Sequence, residues 1–307
     1  MKRIGRRRKG SRKSAITSSL LRWYRKHGRD LPWRDEKDPY RILVSEIMLQ
    51  QTQVSRVLTK YPEFLKRFST FSRLARARTS EVIRSWSGLG YNSRVLRLHE
   101  LSRIVVTDLK GVLPHDVEEL MDLPGLGRYT AHAISCFAFD RRVPVVDTNI
   151  DRVLRRLYPT NGQRLAGKKT DIWTLAEHHL PRSSVHDWNQ ALMDLGSTIC
   201  TASAPKCGEC PLCTKCPSAF KPVRRTSSRS KSEPGRGGVP NRIYRGRAVE
   251  ALRNLRRGDR MTSAQLARSI KPDFQRRDRR WFDLLVRGLE RDGLIQIRSR
   301  QRISLPD

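Results

Sequence analysis

Residues 123–131 read Leu123-Pro124-Gly125-Leu126-Gly127-Arg128-Tyr129-Thr130-Ala131 and join two helical stretches through a turn with two glycines. Apolar residues recur at three- and four-residue spacings over 117–123 and again over 129–139, which predicts helix, tight turn, helix. Gly125 and Gly127 permit a hairpin whose backbone N–H groups face outward where the next helix starts. Such a turn accepts a phosphate oxygen without reading a base, which makes Gly125, Gly127 and Arg128 candidate DNA contacts. Many helix hairpins need glycine, so the turn alone leaves nucleic-acid contact open.

Outward from the hairpin the same pattern continues. Helices are expected over 16–24, 42–58, 61–68, 81–88, 93–109, 150–157, 171–180 and 188–200, with no convincing alternating strand. Residues 15–218 therefore read as an all-α domain. Residues 219–240, rich in Lys, Arg, Ser, Pro and Gly, read as a basic linker. Beyond it, helices are expected over 244–255, 263–270 (capped by Thr262 or Ser263) and 278–291. Gly293 stops the last, and strands over 294–297 and 302–305 would pair around Ser299 and Arg300. Three helices and a two-stranded wing make 241–307 a winged helix-turn-helix, a fold that lays a basic helix on a DNA groove. The competing reading is a small helical extension packed on the main domain.

Charge points the same way. The 307 residues carry a formal net charge of +33, far more than solubility requires, so a polyanion such as double-stranded DNA is the expected partner. No apolar run approaches the roughly 18 residues of a membrane span. The opening MKRIGRRRKGSRK lacks the apolar core of a secretory signal. Residues 1–14 are expected to be a disordered basic arm against phosphates, and the protein a monomer in the cytoplasm, associated with the nucleoid.

Cys200, Cys207, Cys210 and Cys216 are spaced C-x6-C-x2-C-x5-C within one short loop. Four thiolates so placed suit a [4Fe–4S] cluster. A structural zinc site competes, although zinc modules more often split their ligands into separated knuckles. Cys213 adds an overlapping C-x2-C-x2-C-x2-C run ahead of Pro217, so spacing leaves open whether Cys200 or Cys213 is the fourth ligand. Cys136 falls in an apolar stretch and reads as core. Asp147 ends Val143-Pro144-Val145-Val146 and opens a helix, the position of an N-cap. A carboxylate fixed there could also stand beside a reactive sugar.

Hairpin, Asp147 and cysteine loop follow the order and spacing of the helix-hairpin-helix DNA glycosylases, the superfamily of endonuclease III. Within it the chain most resembles the A/G-specific adenine DNA glycosylases (MutY-type). The resemblance rests on Leu31-Pro32-Trp33-Arg34, Pro39-Tyr40, the run from Ser45 through Leu49-Gln50-Gln51-Thr52-Gln53 to Val54, Gly88-Leu89-Gly90-Tyr91, and Asn189-Gln190 to Gly196. It implies that Cys200, Cys207, Cys210 and Cys216 hold the cluster and that Cys213 is a spectator. It implies that Glu46, in an apolar helix that raises its pKa, protonates the departing adenine. Asp147 would stabilise the positive sugar, with Asn149 orienting that carboxylate or the water. Leu49, Gln51 and Tyr91 would wedge the vacated stack, and Trp33, Arg34 and Gln190 would line the base pocket. Tyr129 replaces the lysine of bifunctional relatives; a phenol forms no Schiff base, so the enzyme is expected to be monofunctional.

Three departures stand out. The family's larger C-terminal domain, which helps recognise 8-oxoguanine opposite adenine, gives way to the linker and winged helix. A tyrosine pair becomes Tyr91-Asn92, and Thr148 stands where glycine is usual. The expected substrate is DNA with adenine mispaired with guanine or 8-oxoguanine. The rival is a thymine or uracil glycosylase acting on G:T or G:U, whose members resemble L-R-R-T-T where this chain has Leu49-Gln50-Gln51-Thr52-Gln53. A redox-sensing DNA-binding regulator using the cluster as sensor is the alternative outside enzymes.

Overall fold

The computed structural model describes residues 4–159, 164–165, 168–169, 171–222, 233–298 and 302–307, with side chains from Arg12 onward outside the strands at 164–169. Its helices are α1 (Ile4–His27), α2 (Pro39–Leu49), α3 (Val54–Arg67), α4 (Phe71–Ala75), α5 (Thr79–Ser85), α6 (Ser93–Thr107), α7 (Val117–Met121), α8 (Arg128–Phe139), α9 (Thr148–Leu157), α10 (Ile172–His179), α11 (Val185–Thr198), α12 (Asn241–Arg253), α13 (Ser263–Ile270) and α14 (Arg279–Arg291). Strands are short: β1 (Arg164–Leu165), β2 (Lys168–Lys169), β3 (Gly235–Arg236), β4 (Val239–Pro240), β5 (Met261–Thr262), β6 (Gln296–Arg298) and β7 (Arg302–Ser304). No helix among the described residues is long and apolar enough to cross a membrane.

The chain forms two compact units. One gathers Met1–Ile42, His115–Met121 and Leu126–Ser228; the other gathers Leu43–Pro114, Asp122–Gly125 and Arg229–Asp307. In the first, α9 presents Ile150, Val153, Leu154 and Leu157 at i, i+3, i+4 and i+7, all buried on one core with Leu20 of α1, Phe137 of α8 and Trp188 of α11. Burying one such leucine stabilises by about 1.5–3 kcal/mol. A buried ion pair crosses this core: Arg34 grips Asp194 of α11 with both terminal nitrogens at 2.6 Å, and Arg29 Nε adds a third bond at 2.7 Å.

In the second unit, residues 241–307 follow the winged-helix order, helix, strand, two helices, two strands. The strands form one antiparallel sheet in the order β5-β7-β6. Thr262 caps α13 in a capping box with Gln265. Phe282, Leu285, Val286 and Leu289 of α14 bury against Tyr244, Val249 and Leu252 of α12. Ile83 of α5 belongs to the same core, so this segment packs on a helix of the preceding region. Strand β5, two residues long, was invisible to alternation.

Several boundaries differ from the sequence reading. The helix expected over 42–58 is broken by a turn at 50–53, where Gln51 takes φ +55°. The apolar spacing runs straight through, so periodicity could not see the break. Helix α1 begins at Ile4, inside the stretch expected to be a disordered arm: Lys and Arg are good helix formers. Pairing of β3 with β4 occupies the end of the expected linker, while 223–232 and the wing tip with Ser299 and Arg300 lie outside the described residues.

Candidate active site

Asp147 is the N-cap of α9, and both its carboxylate oxygens are engaged. Oδ1 accepts from the Ile150 N–H at 2.6 Å, and Oδ2 accepts from Asn149 Nδ2 at 2.8 Å. The cap fixes the rotamer of a half-exposed carboxylate, so capping and chemistry are compatible in one residue. Asn149 is itself held, its Oδ1 accepting from Arg152 Nη2 at 2.8 Å; the same nitrogen bonds the Gly196 carbonyl at 2.6 Å. A Cβ on Gly196 would stand 2.7 Å from that of Asn149, so only glycine lets α11 approach α9 this closely. Buried Asn189 supports the approach to Asp147: its Oδ1 accepts from the Val145 N–H and its Nδ2 reaches the Val143 carbonyl.

Trp33, Arg34 and Gln190 are buried in the same unit. Arg34's terminal nitrogens are committed to Asp194, with Tyr24 Oη also accepting at 3.0 Å. Its guanidinium thus anchors α11 to the segment after α1. Tyr129, half-buried on the first turn of α8, packs against the core of α9 and α11. At the hairpin, Gly125 takes φ +85°, a conformation that favours glycine. Gly127 has an ordinary φ and caps α8; nothing lies within 4 Å of where its Cβ would be, which leaves its backbone open to a close approach. Arg128 is exposed, its guanidinium 4.2 Å over the Trp173 ring.

The second unit holds Glu46, Leu49, Gln51 and Tyr91. Glu46 lies within a run of buried residues from Ile42 to Met48 and is itself 6 % exposed. Leu49 ends α2, Gln51 projects from the turn, and Tyr91 is 47 % exposed with φ +43°. Sequence reading missed the residue that binds these loops together. Arg94, buried at the start of α6, donates to the carbonyls of Ile47, Met48 and Gln50 on one side and of Leu89 and Gly90 on the other. Burial pushes its pKa down to about 10. The available signal was a charge on the apolar stripe of Leu98, Leu101 and Val105.

All five loop cysteines face one cleft of ≈ 440 Å³. Among the described residues no three His, Cys, Asp or Glu side chains close on a single metal ion. Donors are already directed at sulfur: Arg156 Nη1 lies 3.3 Å from Cys200 Sγ, and the Phe220 N–H 3.4 Å from Cys207 Sγ. Cys200, Cys210 and Cys216 also pack against the core, where burial raises the Cys210 thiol to about 11. A soft all-sulfur donor set with N–H groups turned toward it fits an iron–sulfur cluster.

Residues 44–174 match the family model of the HhH-GPD superfamily of base excision DNA repair proteins, and residues 200–212 match the iron–sulfur binding domain of endonuclease III. Fold and loop together define a helix-hairpin-helix DNA glycosylase carrying a [4Fe–4S] cluster. The chain is 39 % identical over 298 residues to an adenine DNA glycosylase of Mycobacterium tuberculosis, covering 94 % of this chain and 93 % of that one. The Mycolicibacterium smegmatis adenine DNA glycosylase is 40 % identical over 272 residues, 88 % of this chain and 90 % of the relative. The chain belongs to the adenine DNA glycosylase family. Among solved structures it resembles a thermostable thymine-DNA glycosylase, with TM-score 0.63 and 32 % identity over 69 % of this chain and 98 % of that one. An endonuclease III–DNA covalent intermediate shares the fold at TM-score 0.57 and 21 % identity, over 67 % and 96 %.

Proposed function

We propose that this DNA N-glycosylase hydrolyses the bond between adenine and deoxyribose where adenine is mispaired with guanine or 8-oxoguanine, and leaves the strand uncut. The observation that carries the reading is the Asp147 carboxylate, fixed by its cap bond and by Asn149. A carboxylate held in advance stabilises an oxocarbenium-like transition state without reorganising as charge develops. Glu46 is the general acid. Its place among buried aliphatic residues suits a carboxyl that brings a proton to the adenine ring, so that the base leaves neutral. Asn149 orients the Asp147 carboxylate or the attacking water. Tyr129 supplies no amine, so no Schiff base forms there and the enzyme itself does not catalyse β-elimination.

Extrusion of the base comes first and costs a few kcal/mol, least at a mismatch. Gln51 and Tyr91 fill the gap, with Leu49 behind them, and Trp33 and Gln190 line the receiving pocket. Gly125, Gly127 and Arg128 hold the backbone. Cys200, Cys207, Cys210 and Cys216 hold the cluster, which supplies a cross-link for a basic loop beside DNA. The enzyme would act as a monomer on nucleoid DNA.

The likeness to a thymine-DNA glycosylase supports a second reading, excision of thymine or uracil opposite guanine. A duplex panel separates the two. Single-turnover assays on 8-oxoguanine:A, G:A, G:T and G:U, worked up with and without alkali, should give alkali-dependent nicks at A alone. Nicks at T or U, or strand breaks without alkali, would overturn the reading.

A further inference from the structure

Within the second unit, a cleft of ≈ 660 Å³ opens beside Gln51 and Tyr91. One wall is the loop pair 51–53 and 89–93 with Arg56; the other is the start of α12, with Arg242, Arg245 and Arg247. Among the described residues that line it, Asp292 is the only acid. Arg242 pairs with Glu233 and lines this cleft together with Tyr91, so the winged-helix segment stands beside the expected wedge. The wall is also latched in place. Arg253, 8 % exposed, donates from Nε to the Ile83 carbonyl at 2.9 Å and from Nη2 to Asn92 Oδ1 at 2.7 Å, while Ser87 Oγ reaches Glu250 at 3.1 Å. Asn92, one of the departures from the family pattern, is thus the acceptor for an arginine of α12.

We propose that this cleft is a DNA-strand site, in which α12 supplies the phosphate-binding wall and Arg242 and Arg245 take the backbone of the strand passing the wedge. The inference rests on the wedge role of Gln51 and Tyr91: if those side chains enter the stack, the wall opposite them meets the adjoining backbone. Guanidinium groups suit phosphate because they offer paired N–H donors in a plane. Their present partners, Glu233 and Asp292, are surface carboxylates, and exposed ion pairs of this kind are weak enough for a phosphate to displace. Holding the arginines in place beforehand lowers the ordering cost of binding. The winged helix then serves DNA through α12, whereas a groove-reading role would use the exposed face of α14.

The test is the salt dependence of full-length protein binding to an undamaged duplex, which does not depend on the mismatch preference. Arg242→Ala with Arg245→Ala should lower the slope of log K against log salt by about 2, and the corresponding lysine pair should restore most of it. Arg280→Ala with Arg287→Ala, on the exposed face of α14, is the comparison expected to leave the slope unchanged. An unchanged slope in the α12 pair, with thermal unfolding like the parent's, overturns the proposal. So does competition by free dGMP that is lost in the α12 pair, which would make the cleft a mononucleotide site. Tyr91→Ala tests the wedge separately. If it slows base extrusion while the α12 pair binds like the parent, only the present inference fails.

Discussion

Arg94 is a buried cation held by backbone carbonyls and the Thr52 hydroxyl. Peptide dipoles can hold a guanidinium only when several converge, and here they come from the turn after α2 and the loop before α6. Those segments contain Gln51 and Tyr91, both with left-handed backbone conformations that cost energy in residues other than glycine. Arg94 therefore offsets strain at the proposed wedge. Arg94→Met should destabilise the protein by about 3 kcal/mol or more, since several buried carbonyls lose their donor. It should also slow base extrusion, read as the fluorescence rise of 2-aminopurine at the target position. Arg94→Lys, one point charge for a planar fork, should recover stability better than extrusion. Equal recovery of both would show that the arginine is only structural.

At the scale of elements, the contact of α9 with α11 places the Asp147 carboxylate. Gly196→Ala puts a methyl carbon 2.7 Å from the Asn149 Cβ and 3.0 Å from its carbonyl oxygen, so one helix must move. Overpacking of this kind costs about 1–3 kcal/mol. The excision rate constant at saturating enzyme should fall more than duplex affinity does. A variant matching the parent in both would show that this packing does not position the carboxylate. The ion pairs of Asp194 tie α11 to the segment after α1. Burial alone would raise the Asp194 carboxyl, but the Arg34 hydrogen bond, the Arg29 N–H and both guanidinium charges hold it below the usual carboxylate range. A depressed folded-state value contributes stability above the unfolded pKa of about 3.9, and that stability is lost as pH falls through the folded value. Denaturant titrations of Asp194→Asn should show a loss of about 3–5 kcal/mol at neutral pH. The variant should also depend less on pH than the parent below about pH 5; a parallel acid profile would sink this assignment.

For the molecule as a whole, chemistry was more legible than geometry. The cysteine spacing, the hairpin and the cap position of Asp147 are local, so short stretches of sequence carry them. Helix α13 came out at its observed bounds because Thr262 and the apolar period agree. The turn at 50–53 did not, because it depends on Arg94, more than forty residues away and on another helix. Arg34 read as pocket lining, and only the fold reveals that its terminal nitrogens are bonded to Asp194. The latch from Arg253 to Asn92 joins residues 161 positions apart and had no trace in spacing. The claim on which the account depends is that Asp147 stabilises the sugar cation formed as adenine leaves. Single-turnover excision from a G:A duplex by Asp147→Asn, with binding measured alongside, tests it most directly. The amide keeps a cap oxygen but loses the charge, so binding should persist while the rate constant falls about 10²–10³-fold or more. An Asp147→Asn enzyme that binds the duplex and excises adenine within a few-fold of the parent rate would contradict the account.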